Sequence, residues 1–354
     1  MTEAAKKYAV VFAGQGAQKP GMGRSLYEAS PAARRVFDEA GGEIKYDCFE
    51  GGAERLAQTE VTQPAVYTMD MAAYAALREK LGPGFPPPGA VAGFSLGEYA
   101  AFTAAGIIGS FETGLALVRT RSLLMKAAGA NPDGSGRGAM AAGMGGRDAV
   151  LALVEKARGD GILEAVNFNS PQQTVVAGDA EAVARFSGLA KAGRSLGVKA
   201  IPLPVSGAFH SPLMRPAAEG LAEALKAYAF APPSLKVYLN VTGGLFEDCP
   251  GAEMPASSTD DVPGEDRSAA DAAGNADADA KAKAVMLRQI QSPVQWQATI
   301  EAMAAAGIET IVEAGPGKTL SGLVKKTAPE IQTLHVEDAE SLEEAAGQLR
   351  RFEE

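Results

Sequence analysis

The chain has 354 residues, of which 46% are hydrophobic and 21% charged, as is ordinary for a globular protein with room for more than one folding unit. Its net charge of −10 argues against a nucleic-acid partner, and no apolar run reaches the length of a membrane span. Cys48 and Cys249 provide neither a disulfide framework nor a metal-ligand spacing, so we expect no metal and a reducing, cytoplasmic location.

In chain order, the first part alternates short apolar strands with longer helices. Residues 8–12 predict a buried strand, and residues 90–93 predict a second strand that leads into a helix over 96–105. A further helix is predicted over 111–128. This alternation is typical of an α/β unit with a mainly parallel sheet.

A glycine-rich segment, FAGQGAQ, follows the first strand. It is not a dinucleotide fingerprint, because Lys19 stands where the third glycine would be. Glycines on both sides of Gln15 would let the backbone approach a ligand and direct the Gln15 amide into a site.

Beyond residue 130 the order of elements changes to βαββαβ. The predicted elements are strands over 139–144, 163–168, 173–177 and 199–204, with helices over 147–158 and 180–196. This order is that of a ferredoxin-like split βαβ unit. We therefore predict a large α/β-hydrolase-like subdomain over 1–130 and 203–354, with a small ferredoxin-like subdomain over 131–202 inserted into it.

The acidity of the chain is concentrated in residues 247–280, which hold ten acidic residues and one basic residue. The segment contains no Leu, Ile, Phe, Tyr or Trp, so it offers little apolar surface to offset the entropy of ordering. We predict a disordered surface insertion between a strand over 235–241 and a helix over 281–291. A role in binding a partner is the alternative.

The segment GFSLGEY contains the candidate nucleophile, Ser95. It fits the G-x-S-x-G elbow, in which a serine stands on a sharp turn between a strand and a helix. Glycines two residues before and after the serine avoid a clash in the turn. A helix amino terminus beside Ser95 would favour negative charge that develops nearby.

A nucleophilic serine needs a base, and the chain has only two histidines. His335 lies in the apolar run TLHVE and is predicted to be an ordinary strand residue. His210 lies in SGAFHSP, where Ser211 resembles a helix cap and Pro212 the first helical residue. His210 is therefore the candidate base, with a surface histidine as the alternative.

Arg121 is the third candidate. The helix over 111–128 has an apolar stripe of Phe111, Leu115, Val118 and Met125, and Arg121 falls on that stripe. A guanidinium on a buried face requires an anion, which could be a substrate or a structural carboxylate. A side chain that reaches out to water is the third possibility.

Together these segments resemble the malonyl-CoA:acyl carrier protein transacylases, the malonyl-loading enzymes of fatty acid synthesis. The resemblance runs in order along nearly the whole chain, through FAGQGAQ, TQPA, GFSLGEY, the arginine followed by Met125, NFNSPQQTVVAG, GAFHSPLM, SPVQW and EAGPGKTL. It implies transfer of a malonyl group from malonyl-CoA to acyl carrier protein through an acylated serine, without a cofactor.

The resemblance also implies roles for individual residues. Ser95 would be the nucleophile and His210 its general base and acid, and Arg121 would bind the malonyl carboxylate. The remaining implied residues are the backbone amides of Gln15 and Leu96 as oxyanion hole, the backbone carbonyl of Gln295 as orienter of the histidine, and Gln63 and Asn169 as lining of the site.

Two departures from the family pattern are visible. The family usually has histidine before the nucleophile, where this chain has Phe94, and its loop is shorter than the acidic insertion over 247–280. The pair Phe209-His210 resembles the sequence of malonyl-selective rather than methylmalonyl-selective acyltransferases.

Two other function classes remain open at this point. A serine hydrolase would share the serine and the histidine but would have no use for Arg121, and a non-catalytic module that binds carrier protein would form no acyl adduct. Lys318, Lys325 and Lys326 are candidates for docking an acidic carrier protein, or simply a solvated helix face. We expect a monomer, in either fatty acid or polyketide synthesis.

Overall fold

The computed structural model describes residues 7–131, 136–193, 197–205, 207–250 and 270–351. The strands are β1 Tyr8–Phe12, β2 Ala90–Gly93, β3 Ala139–Met144, β4 Leu163–Ser170, β5 Gln173–Gly178, β6 Lys199–Pro202, β7 Lys236–Tyr238, β8 Thr310–Ala314 and β9 Gln332–Val336. The first helices are α1 Arg24–Ala29, α2 Pro31–Ala40, α3 Gly42–Phe49, α4 Ala53–Leu56, α5 Thr59–Leu81, α6 Gly97–Ala104 and α7 Phe111–Ala128. The later helices are α8 Arg147–Arg158, α9 Ala180–Ala192, α10 Arg215–Leu225, α11 Ala270–Gln289, α12 Trp296–Ala305, α13 Thr319–Thr327 and α14 Ala339–Arg350, with a short 3₁₀ helix over Pro212–Met214.

A parallel sheet forms the centre of the larger unit, in the order β7-β2-β1-β8-β9. Strands β1, β2 and β8 are buried along their whole length, because helices cover both faces of the sheet. One face packs on α5 and α6, and the other packs on α12 and α13 around Trp296. The prediction of an α/β unit with a mainly parallel sheet is confirmed.

A separate antiparallel sheet forms the smaller unit, in the order β4-β5-β3-β6. Helices α8 and α9 cover one face through Val150, Leu153 and Phe186, and the other face packs toward the larger unit through Val166 and Val175. This is the strand order of a ferredoxin-like βαββαβ unit, so the predicted fold class is confirmed for both sheets.

The prediction of disorder over 247–280 is wrong for the part that the structure describes. Helix α11 begins at Ala270 instead of residue 281, and residues 251–269 lie outside the described residues. Alanine has the highest helix propensity, and an ion pair between Lys283 and Asp279, one turn apart, adds to it. Ala278 and Ala282 are also buried, so small side chains anchor this helix where large ones are missing.

In the part of the chain that the structure describes, no helix combines the length and the apolarity needed to cross a membrane. The carboxyl ends of β1, β2 and β8 meet at one edge of the parallel sheet. Loops leave the sheet there, and ligands of α/β proteins bind at such edges. This edge therefore locates the candidate site.

Candidate active site

Ser95 stands on the tight turn between β2 and α6 with a φ of 52°, in the left-handed region that non-glycine residues rarely adopt. The glycines of the elbow permit this turn. A Cβ atom on Gly93 would lie 1.9 Å from the carbonyl carbon of Gly97, and one on Gly97 would lie 2.3 Å from the carbonyl oxygen of Phe12. Neither contact is possible, so the turn requires glycine at both positions.

Asn240, just after β7, holds the elbow from both sides. The backbone N–H of Ser95 donates to Asn240 Oδ1 at 2.7 Å, and Asn240 Nδ2 donates to the carbonyl of Gly93 at 2.6 Å. The backbone N–H of Asn240 donates in turn to Glu98 Oε1 at 2.7 Å. Sequence reasoning missed Asn240, because an asparagine beyond an edge strand has no recognisable spacing from the elbow.

His210 lies within hydrogen-bonding distance of Ser95, the candidate nucleophile. Its Nε2 is 2.7 Å from Ser95 Oγ and its Nδ1 is 2.8 Å from the carbonyl oxygen of Gln289. Because a carbonyl only accepts, Nδ1 carries the proton and Nε2 can accept the proton of Ser95. Burial and the neighbouring charge of Arg121 lower the pKa of His210 to about 4, so the imidazole is neutral at pH 7.

The backbone groups that contact His210 belong to Gln289, whose carbonyl lies 2.8 Å from Nδ1, and to Ser292, so the implied role of Gln295 is wrong. Gln295 precedes α12, and its carbonyl accepts the first helical hydrogen bond, from the N–H of Thr299 at 3.0 Å. Its own N–H donates to the carbonyl of Asn240. Gln289 instead ends α11, where the last carbonyls of a helix have no partner within the helix and are available to other groups.

Arg121 is almost completely buried, at 1% exposure, and reaches Ser95. Its Nη2 lies 3.2 Å from Ser95 Oγ and 3.2 Å from Gln289 Oε1, and its Nη1 donates to Gln63 Oε1 at 2.8 Å. Burial lowers the pKa of Arg121, yet a guanidinium keeps its charge in proteins. It forms no salt bridge with any residue in the described ranges. A structural ion pair therefore does not neutralise the charge of Arg121.

Gln15, Gln63 and Asn169 all line a cavity of about 270 Å³ that opens onto Ser95, His210 and Arg121. Gln63 Nε2 donates to Gln15 Oε1 at 3.3 Å, while the buried Asn169 Oδ1 has no partner among the described residues. Leu96 begins the turn into α6 beneath the serine. Neither its backbone N–H nor that of Gln15 donates to any described residue, so both amides are available to a ligand.

Phe94 lines the same cavity, beside the serine. Its ring packs edge-on against Trp296, with ring centroids 5.4 Å apart, and its Cδ1 atom would contact any Cβ placed on Gly14. An apolar side chain therefore fits between the loop after β1 and helix α12. His335, the second histidine, lies in β9 as predicted and does not line this cavity.

The chain is similar to known proteins along nearly its whole length. Residues 9–352 match the family described as acyl transferase domain. The chain is 37% identical to a malonyl CoA-acyl carrier protein transacylase of Bacillus subtilis over 97% of its own length and 98% of that protein.

Two solved structures share the fold. The transacylase of Clostridium perfringens superposes with a TM-score of 0.81 at 34% identity and covers 98% of both chains. A malonyl-transacylase in complex with its type II PKS acyl-carrier protein gives a TM-score of 0.80 at 32% identity, over 97% of this chain and 99% of that one. The chain therefore belongs to the acyl transferase family of malonyl CoA-acyl carrier protein transacylases.

Proposed function

We propose that this protein transfers the malonyl group of malonyl-CoA to the phosphopantetheine thiol of an acyl carrier protein, through a malonyl ester of Ser95. The observation that carries the proposal is the position of Arg121, a buried cation without an ionic partner among the described residues, 3.2 Å from the nucleophile. A malonyl group on Ser95 has a free carboxylate two bonds from its ester carbonyl. That carboxylate is of the right charge and reach for Arg121.

In the first half-reaction, Ser95 Oγ forms a bond to the thioester carbonyl carbon and its proton passes to His210 Nε2. The carbonyl oxygen takes up negative charge, which the backbone amides of Gln15 and Leu96 stabilise; one such donor is worth about 2.7–4 kcal/mol. The bond from carbon to sulfur then breaks, and the CoA thiolate leaves with the proton from His210.

In the second half-reaction, the carrier-protein thiol enters the same cavity. His210 takes the thiol proton, the thiolate attacks the ester carbon, and Ser95 leaves with the proton that His210 returns. The new thioester replaces one of equal type, so the exchange is close to balanced in free energy and needs no cofactor. The carbonyl of Gln289 accepts a hydrogen bond from Nδ1–H throughout, which favours the Nδ1–H tautomer of neutral His210 in both half-reactions.

A serine hydrolase would use the same serine and histidine, but Arg121 disfavours it. A hydrolase of neutral esters would pay the cost of a buried, unneutralised cation and gain nothing from it. The relatives at 36–38% identity named as malonyl CoA-acyl carrier protein transacylases support transfer. The buried thiols of Cys48 and Cys249 support a cytoplasmic location.

Intact-mass spectrometry of the purified protein mixed with malonyl-CoA tests the proposal. We expect an adduct of roughly 86 Da, the malonyl group expected from double-displacement chemistry, located on Ser95 by peptide mapping. Holo acyl carrier protein should remove it and gain the same mass, and Ser95→Ala should form no adduct. A wild-type protein that stays unmodified, or an adduct that only water removes, would rule out transfer.

A further inference from the structure

The guanidinium of Arg121 is held at both ends by uncharged amide oxygens. Gln63 Oε1 accepts from Nη1 at 2.8 Å, and Gln289 Oε1 accepts from Nη2 at 3.2 Å. Both glutamines are fully buried, at 0% exposure. The two come from distant helices, α5 and α11, so the arrangement is made by the fold and not by one local motif.

Each glutamine is itself fixed by further hydrogen bonds. Gln289 Nε2 donates to the carbonyl of Ser95 at 2.6 Å, and Gln63 Nε2 faces Gln15 Oε1 and the Sδ atom of Met125. These bonds determine which end of each amide faces Arg121: the NH₂ groups are occupied elsewhere, so the oxygens point to the cation.

No acid takes the place that the amides fill. Among carboxylic acids, Glu98 influences Arg121 most, after burial and the Tyr99 hydroxyl. Its carboxyl accepts from the backbone N–H of Asn240 and forms no salt bridge with Arg121. The Nε of Arg121 is buried without a hydrogen-bond partner among the described residues. The cation is therefore oriented but not neutralised, and one of its donors is unused.

We infer that Gln63 and Gln289 form a neutral cradle that makes the site selective for acyl groups with a free carboxylate. The cradle fixes the position of Arg121 with dipoles and leaves the charge of the cation to be balanced by the substrate. A carboxylate in either position would balance that charge internally, and an anionic acyl group would then bring a second negative charge to a site already neutral. Both glutamines are positioning residues that act through Arg121.

The inference rests on the proposed function and is tested by comparing malonyl-CoA with acetyl-CoA as donors. The readout is the ratio of the two second-order rate constants for acylation of Ser95, measured by quenched-flow mass spectrometry. Gln63→Glu should lower the malonyl-to-acetyl ratio on the order of tenfold, the scale of one pKa unit of charge interaction. The loss should lie in the KM for malonyl-CoA and should exceed any change in the rate with acetyl-CoA.

Two variants separate charge from shape. Gln63→Leu removes the acceptor without adding charge, so it should lower the ratio less than Gln63→Glu does. Gln58→Glu adds the same charge at the exposed start of α5 and should leave the ratio at the wild-type value. Thermal melting of each variant identifies one that fails to fold, in which case Gln289→Glu takes its place with the same expected direction.

Four results are decisive. A Gln63→Glu protein that folds and keeps the wild-type ratio overturns the inference, and so does a Gln63→Leu protein that loses as much selectivity as Gln63→Glu. A selective loss in Gln63→Glu supports it. Absence of malonylation in the wild type would instead overturn the proposed function, and the cradle with it.

Discussion

His210 can act as a base at neutral pH because its environment opposes the protonated ring. Burial is the largest cause of its low pKa of about 4, and repulsion by Arg121 is the second. Protonation would remove the lone pair that faces Ser95 Oγ. The rate of Ser95 acylation should therefore stay constant from pH 8 down to about pH 5 and fall only near the pKa of His210.

Arg121→Ala tests the electrostatic part of this argument. Without the neighbouring cation the pKa of His210 should rise, so the acid limb of the pH profile should move to higher pH. Because His210 remains buried, its pKa should still lie below the ordinary value of 6.5. The measurement is Ser95 acylation by acetyl-CoA, which needs no carboxylate clamp, as a function of pH. Lys126→Ala removes an exposed cation from the same helix and should leave the limb in place; an unmoved limb in Arg121→Ala would refute the coupling.

Whether a site residue can be predicted from the sequence depends on its residue type. Ser95 and His210 could be chosen as candidates because few side chains can act as nucleophile or base, and Arg121 because a charge on an apolar stripe is conspicuous. The structure places the three side chains together. The partner of His210 was not predictable, since every residue has a backbone carbonyl. The segment around Gln289 and Gln295 offers several, and only the end of α11 determines which carbonyl is free.

Among the elements, the turn between β2 and α6 depends on a residue from outside it. Asn240 Oδ1 accepts from the N–H of Ser95 and its Nδ2 donates to the carbonyl of Gly93, so one side chain stabilises a backbone conformation with positive φ. Asn240→Ala should leave two buried backbone groups without partners, at a cost of about 1–3 kcal/mol each. We expect a lower melting temperature and a larger relative fall in kcat, since the position of Ser95 Oγ is lost.

Thr242→Ala is the matched control, because Thr242 is exposed and lies in the turn just beyond Asn240. It should change neither the kcat of malonyl transfer nor the melting temperature appreciably. Thermal denaturation and steady-state kinetics measure the two effects separately. An Asn240→Ala protein with wild-type kcat would show that the glycines of the elbow suffice to hold Ser95.

The elements that the sequence predicted well are those with strong local patterns. Strands β1, β2 and β3 and helices α7 and α8 have the predicted bounds, because apolar periodicity and flanking glycines mark them. Helix α11 was missed at its start because the prediction relied on the lack of large apolar residues. Alanine supports a helix by propensity and by close packing, neither of which produces an apolar stripe.

Across the whole molecule, the cavity is a product of both units. The larger unit contributes the elbow, Arg121 and the loop after β1, and the smaller sheet contributes a wall that includes Met140, Asn169 and Val175. The two sheets could be predicted from local patterns. Their mutual contact could not, because it depends on pairs of residues far apart in the chain, such as the bridge between Asn167 and Val294.

The stability of the whole protein should depend on pH through Asp70, a carboxyl on α5 that is completely buried against the loop after β8. Burial and, after it, the charge of Glu313 raise its pKa well above the ordinary value of 3.8, although the backbone N–H of Ala13 acts in the opposite direction. Because the pKa of Asp70 is higher in the folded than in the unfolded protein, the native state keeps this proton up to a higher pH. The free energy of unfolding therefore falls as the pH rises from the unfolded to the folded pKa of Asp70, by up to about 1.4 kcal/mol per pH unit.

Asp70→Asn keeps the shape of this side chain but replaces the titratable carboxyl by a neutral amide. It should therefore raise the melting temperature at pH 8 more than at pH 5. Differential scanning calorimetry across that range measures the difference. The matched variant is Asp38→Asn, because Asp38 is exposed and a hydrogen bond from Lys45 lowers its pKa, which gives it no such trend. A gain in melting temperature that is the same at every pH would mean that the carboxyl of Asp70 is ionised in the folded protein, and that the parallel sheet tolerates a buried charge beside β8.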